Sequence, residues 1–198
     1  MNPRYLLALV LLFSVLLSGC AFDHGDAVAG SRTAVMLVKV RNERKPQRVV
    51  IAFREDAAPG TVGNFKQLVA RHYYDGMRFH RIFPHRLVQT GDPKSRHGES
   101  ERSGTGGPGY TVPAEIRLKH ERGAVAASRL PDGVNPTRSS NGSQFYVCLE
   151  PLPSLDGQYT VFGRVTEGLE VLEAISQIPA NSNDFPVQNV VIQSIRLE

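Results

Sequence analysis

Residues 73–92 read YYDGMRFHRIFPHRLVQTGD. Asp75-Gly76 is a tight-turn signal, because glycine enters positive φ without a Cβ penalty. After it, Phe79, Arg81 and Phe83 alternate with His80 and Ile82, and a second run, Leu87 to Gln89, ends at Thr90-Gly91-Asp92-Pro93. Two short runs between turn signals predict consecutive strands of an antiparallel sheet. Strands turn alternate side chains to one face. Phe79, Arg81 and Phe83 are therefore expected to share a face, with a guanidinium among aromatic rings, which suits a binding groove better than a core.

Upstream, Ala34 to Val40 and Arg48 to Phe53 are β-rich runs joined by Asn-Glu-Arg-Lys-Pro, which predicts a hairpin. Pro59 then opens a helix, where its missing N–H costs nothing. Val62, Phe65, Leu68 and Val69 recur on one helical face that should cap a sheet.

Downstream, residues 93–110 are polar and glycine-rich. Gly104, Gly106 and Gly109 fit G-x-G-x-x-G, but a charged loop precedes them and Tyr110-Thr111-Val112-Pro113 follows. A dinucleotide fingerprint needs a strand before and a helix after, so this stretch reads as a surface loop. Gly123–Ala127, Gln144–Cys148, Tyr159–Val165 and Val187–Leu197 read as strands, and Leu155–Gln158 as a turn. Thr166 is placed to N-cap a second helix with Leu169, Leu172 and Ile175 inward. Phe65, Phe83, Phe145 and Phe162 are expected in the core, with His80 a structural histidine. The sum is a mainly β chain: a closed eight-stranded antiparallel barrel capped by two α-helices.

The N-terminal segment has its own signature. Arg4 precedes an apolar run from Tyr5 to Leu17, which reads as a secretory signal. Leu17-Ser18-Gly19-Cys20 resembles the bacterial lipobox, in which the chain is cut before a cysteine that then carries lipid. The expected organisation is a signal at residues 1–19, lipidated Cys20 with a flexible tether through residue 33, and one domain over residues 34–198. Ala21 in place of Asp implies, by resemblance to lipoprotein sorting, an outer-membrane anchor facing the periplasm.

Composition narrows the function classes. The formal charge is +4, and residues 1–19 contribute Arg4 and no acid, so the remaining domain is only mildly basic. No basic run is interleaved with aromatics, which argues against nucleic acid as a partner. The two cysteines are Cys20 and Cys148. With Cys20 acylated no intrachain disulfide forms, and Cys148, in an apolar run, reads as a buried inert thiol. The six histidines show no H-E-x-x-H or paired spacing, so no metal site is expected.

YDGMRFHRIFP, VQTGDP, GTGGPGY, NGSQFYV and LDGQYTVFGRV, in that order, resemble the cyclophilin family of peptidyl-prolyl cis-trans isomerases over roughly residues 34–198. The resemblance implies an eight-stranded barrel with an external groove for proline-containing peptides. It places Arg81 on the catalytic arginine and Gln89 on the glutamine that positions the substrate backbone. It places Leu87, Tyr146 and Leu155 around the proline with Phe79 flanking the arginine, Ser128 and Arg129 on the segment that hydrogen-bonds the peptide, and Tyr159 where eukaryotic members carry histidine; by strand spacing alone Phe79 and Tyr146 fit core and pocket equally. No cofactor is implied, since no bond is broken. The implied partners are proline-containing segments of unfolded or exported proteins, and a monomer is expected.

Three departures from the family pattern stand out. Arg86 takes a position that often holds a large aromatic. Ser154 replaces the tryptophan or histidine that governs cyclosporin affinity, which implies weak cyclosporin binding. The loops around 94–104 and 130–140 are longer than in compact members. On its own Arg81 reads as half of a structural salt bridge; beside Gln89 and the aromatics it reads as a catalytic donor. The functional expectation is an isomerase that assists folding of exported or envelope proteins. The alternative is a weakly active proline-peptide-binding module or envelope scaffold using the same groove.

Overall fold

A computed structural model describes residue 28 and residues 30–41, 43–98 and 103–198. The signal segment, Cys20, most of the tether and residues 99–102 of the first long loop lie outside the described residues. The eight strands are β1 (Thr33–Val40), β2 (Gln47–Phe53), β3 (Arg81–Phe83), β4 (Leu87–Thr90), β5 (Ala124–Ala127), β6 (Phe145–Cys148), β7 (Val161–Glu167) and β8 (Val190–Leu197). They form one antiparallel sheet in the order β3-β4-β6-β5-β7-β2-β1-β8. Among the described residues the helices that accompany it are α1 (Pro59–Ala70) and α2 (Leu169–Ser176).

Alternation sets the inner face. Ala34, Met36 and Val38 of β1, Val49 and Ile51 of β2, Val125 and Ala127 of β5, and Phe145 and Val147 of β6 enter one core, at the period of two that a pleated strand imposes. In β8 both Ile192 and Ile195 are inward. Their odd spacing follows from a bulge: Leu37 faces Ser194 while Val38 faces Ile192, leaving Gln193 as the extra residue.

α1 buries Val62, Phe65, Leu68 and Val69 as its spacing predicts. Phe65 meets Tyr74, Phe145, Phe162 and Phe53 at centroid distances of 5.1, 5.5, 5.4 and 5.9 Å. Ala58 at the N-cap offers no side-chain acceptor. Instead Glu115, far along the chain, accepts from the backbone N–H groups of Gly60 and Thr61 at 3.0 and 2.8 Å, satisfying donors that a helix start leaves free. The start of α2 differs from the sequence expectation. Thr166 belongs to β7, and Gly168 at φ 78° is the N-cap, because the chain must turn sharply from strand to helix there. A Cβ on Gly168 would lie 2.1 Å from the Arg48 carbonyl oxygen.

The end strands β3 and β8 share no ladder. The segment leading into β3 pairs with β8 instead: Gly76 N–H donates to the Ile192 carbonyl at 2.8 Å, Phe79 N–H to that of Val190 at 3.0 Å, and Arg78 forms an isolated bridge with Val191. Among the described residues the fold is thus mainly β, with eight antiparallel strands and two helices, and the expected closed barrel is instead a half-barrel whose sheet ends meet through these few backbone contacts.

Candidate active site

The outward faces of β3, β4, β6 and β5 carry a second pattern. Register pairs Arg81 with Gln89, Gln89 with Tyr146, and Tyr146 with Ala126. These four residues form one row across four strands. One step along, Phe83 faces Leu87 and Leu87 faces Cys148. Neighbouring strands lie about 4.8 Å apart, so Arg81 and Tyr146 stand about 10 Å apart at their backbones, room for a prolyl ring and its amide.

This row underlies a groove of about 820 Å³ lined by Arg81, Phe83, Leu87, Gln89, Ser128, Arg129, Tyr146, Leu155 and Tyr159, with His80, residues 103–105 and residues 182–185 around them. Eight of the nine residues assigned from sequence to catalysis or substrate binding therefore converge on one groove. The ninth, Phe79, does not. It is 1% exposed and belongs to the main core. Met77 and Phe79 point inward, as does Ile82, so the alternation slips by one residue between Phe79 and Arg81. The slip falls where the backbone changes partner, from β8 at Phe79 to β4 at His80. Phe83, grouped with Arg81 by alternation but also counted among the core phenylalanines, is the aromatic that joins Arg81 in the groove.

The cationic wall is Arg81. Its guanidinium carbon lies 4.8 Å from the centroid of Phe83, and its Nε donates to the Asp184 carboxylate at 3.2 Å. Among the described residues its two terminal amino groups have no hydrogen-bond partner.

The polar floor is Gln89. Gln144 Nε2 donates to the carbonyls of Gly104 and Gly106 at 2.9 and 2.8 Å, so its Oε1 is the free acceptor. Gln89 Nε2 donates to that oxygen at 2.8 Å and reaches Ser128 Oγ at 3.3 Å. Among the described residues this leaves Gln89 Oε1 as the unengaged atom. Sequence reading missed Gln144 as a site residue and took the glycine loop for plain surface. In the structure a Cβ on Gly106 would come within 1.9 Å of Asp92 Oδ1, so glycine lets the loop close over the floor.

The apolar wall is a small cluster on the outer face of the sheet: Ala124, Ala126, Tyr146, Cys148, Leu152 and Val161, with half-buried Leu87, Leu118, Leu155 and Tyr159 against it. Burial raises the Tyr146 hydroxyl well above its ordinary pKa and pushes the Cys148 thiol up to about 12, which makes Cys148 inert as a nucleophile. The Tyr146 hydroxyl is 3.0 Å from Nε2 of His120, whose ring is fully buried. His120 Nδ1 lies 3.0 Å from Asp156 Oδ1, which also accepts the His120 backbone N–H at 2.7 Å. These bonds, the backbone one foremost, hold Asp156 below the usual carboxylate range. An ionised Asp156 fixes the proton on Nδ1, so Nε2 accepts from the tyrosine.

Arg129 closes one end. It lies 4.7 Å above Tyr159, donates through Nε to the Gln158 carbonyl at 2.8 Å, and pairs with Asp132. Arg86 is exposed in the turn between β3 and β4 and does not line the groove. Ser154 is exposed in a short 3-10 turn, Pro153–Leu155. Among the described residues no group of three or more His, Cys, Asp or Glu is placed to hold a metal ion, and no helix is long and apolar enough to cross a membrane.

Residues 37–197 match the family described as cyclophilin type peptidyl-prolyl cis-trans isomerase/CLD. Peptidyl-prolyl cis-trans isomerase B of Bacillus subtilis is 43% identical over 124 residues, which is 61% of this chain and 78% of that protein. Peptidyl-prolyl cis-trans isomerase-like 1 of Aspergillus oryzae is 42% identical over 142 residues, 71% of this chain and 83% of its own length. A crystal structure of a cyclophilin type peptidyl-prolyl cis-trans isomerase from Cryptosporidium parvum superposes with a TM-score of 0.72 at 25% identity, covering 85% of this chain and 98% of that one. The same protein crystallised in the presence of the dipeptide Ala-Pro gives a TM-score of 0.71 at 25% identity, covering 84% and 98%.

Proposed function

The chain belongs to the cyclophilin type peptidyl-prolyl cis-trans isomerases, and we propose that it accelerates rotation about X-Pro bonds with Arg81 as the catalytic donor. The row Arg81–Gln89–Tyr146 carries this reading: it sets a fixed cation with unengaged donors opposite an apolar wall, across the width of one prolyl residue.

The barrier to be lowered comes from amide resonance and is about 18–20 kcal/mol. In the twisted state the prolyl nitrogen regains a lone pair and accepts a hydrogen bond that the planar amide cannot. An arginine side chain holds its donors in a rigid, planar fork. A terminal amino group aimed at that nitrogen stabilises the twisted state above both planar ones. Leu87, Tyr146, Leu155 and Phe83 bury the ring. Gln89, with Nε2 already engaged, offers Oε1 to a peptide N–H beside the proline. Ser128 and Arg129 line the path of the flanking backbone. Every step is a rotation, so neither nucleophile nor cofactor takes part.

The test is isomerisation of a short X-Pro peptide by the purified protein and by Arg81→Ala. Loss of one preorganised donor predicts a fall in kcat of about 10²–10³-fold. Undetectable turnover in the parent, with peptide still bound, would instead favour a proline-peptide-binding module.

The location proposed for this activity rests on the N-terminal sequence. Leu17-Ser18-Gly19-Cys20 after an apolar run supports processing to a lipid-anchored form at the outer membrane, facing the periplasm. Exported and envelope proteins would then be its substrates. Labelled palmitate should enter the parent chain in a double-membrane bacterium and not Cys20→Ala; a parent chain that takes up no label, or a Cys20→Ala chain that still does, would overturn the anchor at Cys20.

A further inference from the structure

Arg81 is the proposed donor to the reacting amide, yet it sits half-exposed on an edge strand. A long side chain in that setting samples many rotamers unless something holds it. Phe83 supports one face of the guanidinium but cannot fix its rotation in plane. The contact that does is the bond from Nε to Asp184 at 3.2 Å. Resting on the assignment of Arg81 as the donor, we propose that Asp184 is a positioning residue: it holds Nε so that the two terminal amino groups face the substrate.

The loop carrying Asp184 is built to present it. Asp184 has φ 61°, a left-handed conformation that most residues avoid and aspartate tolerates. Its carbonyl accepts from Ile82 N–H at 2.9 Å, one residue beyond Arg81, and its own N–H donates to the Asn181 carbonyl at 3.0 Å. Asn181 Oδ1 in turn accepts from the N–H groups of Asn183 and Phe185 at 2.9 and 3.1 Å. The backbone of the loop is thereby tied to β3 at the position next to the arginine it steers. Residues 182–185 also line the groove, so the carboxylate reaches Arg81 from the substrate side of the sheet. Nε is the nitrogen best given up for this purpose. Holding it leaves both terminal amino groups free, and the planar fork transmits its orientation to them.

The assignment separates orientation from charge. Asp184→Asn keeps an acceptor for Nε and removes the negative charge. Asp184→Gly removes the side chain at a φ that glycine favours and keeps the backbone bonds, so the fold should persist. The expected result is kcat within about twofold of the parent for Asp184→Asn and lowered about three- to tenfold for Asp184→Gly, with KM for the peptide nearly unchanged in both. In an Arg81→Ala background Asp184→Gly should have no further effect, because Asp184 acts through Arg81 alone. A second readout does not involve turnover. The ¹⁵N-resolved Arg81 Nε–H signal should be sharp and slowly exchanging in the parent and in Asp184→Asn, and lost in Asp184→Gly. Unchanged kcat in Asp184→Gly, an additive loss in the Arg81→Ala background, or an Nε–H signal indifferent to Asp184 would each overturn the assignment. An Nε–H signal that depends on Asp184 in a protein without turnover would overturn the isomerase reading and show that the contact stands without it.

Discussion

Tyr146 is the groove residue whose replacement separates the two faces of one side chain. Its ring belongs to the apolar wall, while its hydroxyl points back to His120, 3.0 Å away and buried. Tyr146→Phe deletes one oxygen and leaves the ring, so no cavity of consequence opens. What it leaves behind is a buried imidazole acceptor with no partner, because Asp156 already occupies the Nδ1 side. An unpaired buried polar group of this kind costs about 1–3 kcal/mol. For a domain of this size each kcal/mol shifts Tm by about 2–4 °C, so the predicted fall is roughly 2–12 °C. Urea unfolding of Tyr146→Phe, His120→Leu and the double variant measures the same bond as a coupling energy, expected at about 1 kcal/mol or more. Isomerisation kcat/KM should stay within about twofold, since the ring proposed to meet the substrate is unchanged. A stability loss below about 0.3 kcal/mol, or a coupling near zero, would show that the hydroxyl is not held by His120. A large loss of activity at unchanged stability would show that it acts in the groove.

Two other predictions concern support around the same strands. Burial holds the His80 imidazole below its ordinary pKa, against the opposing pull of Asp92, so below about pH 6.5 the unfolded chain binds a proton that the native state refuses. Stability should therefore be fully present above that pH and fall as pH drops, by up to about 1.4 kcal/mol per unit; urea midpoints between pH 7.5 and 5 should show this, and His80→Gln should flatten it. Asp156, held low by His120, adds a second loss only at more acid pH, as its carboxylate protonates below about 3.9. Gly91 has φ 88°, and a Cβ there would lie 2.3 Å from the Ser143 carbonyl oxygen. Gly91→Ala should thus cost at least about 2 kcal/mol, and displacement of Ser143 should disturb neighbouring Gln144 and lower activity with it; a near-normal Tm would refute the close approach.

The strands and α1 were legible because their physics is local. Turn signals bounded β3 and β4, and helical spacing set the buried face from Val62 to Val69, whereas Leu87, Gln89 and Tyr146 were picked out by the family resemblance. Three things were not legible, each for a nameable reason. Phe79 was assigned to the groove by extending the alternation backward from Arg81, but the backbone changes partner strand at that point and the phase slips. Gln144 carries no local mark of its role; it becomes a site residue only because Gly104 and Gly106 bring their carbonyls over it. Asp184 lies 103 residues from Arg81 along the chain, and nothing in the loop 179–187 signals that it folds back beside β3. The start of α2 failed for a simpler reason: a glycine at positive φ can begin a helix without the capping side chain that Thr166 was expected to supply.

The alternation that builds the groove also makes it fragile. Ile82 and Val88 are core residues directly beside Arg81, Leu87 and Gln89, which face out. A slip of one residue between β3 and β4 would send the guanidinium inward and an aliphatic chain into the groove. The hairpin β3–β4 is short, with three paired positions, so its own ladder is a weak guard. The register is held from outside the hairpin. Ile82 N–H is fixed by Asp184 on one edge, Leu149 N–H donates to the Arg86 carbonyl at the turn, and Gln89 is clamped by Gln144 beyond the other edge. Each of these partners comes from a segment distant in sequence. The polar loops around the groove therefore act on the core as well as shaping the groove: they select which of two complementary faces of a short hairpin is turned to solvent. Loop substitutions that break these bonds should lower cooperativity of unfolding and activity together, whereas outward substitutions on the strands, such as Arg81→Ala, should remove activity and leave the unfolding transition intact.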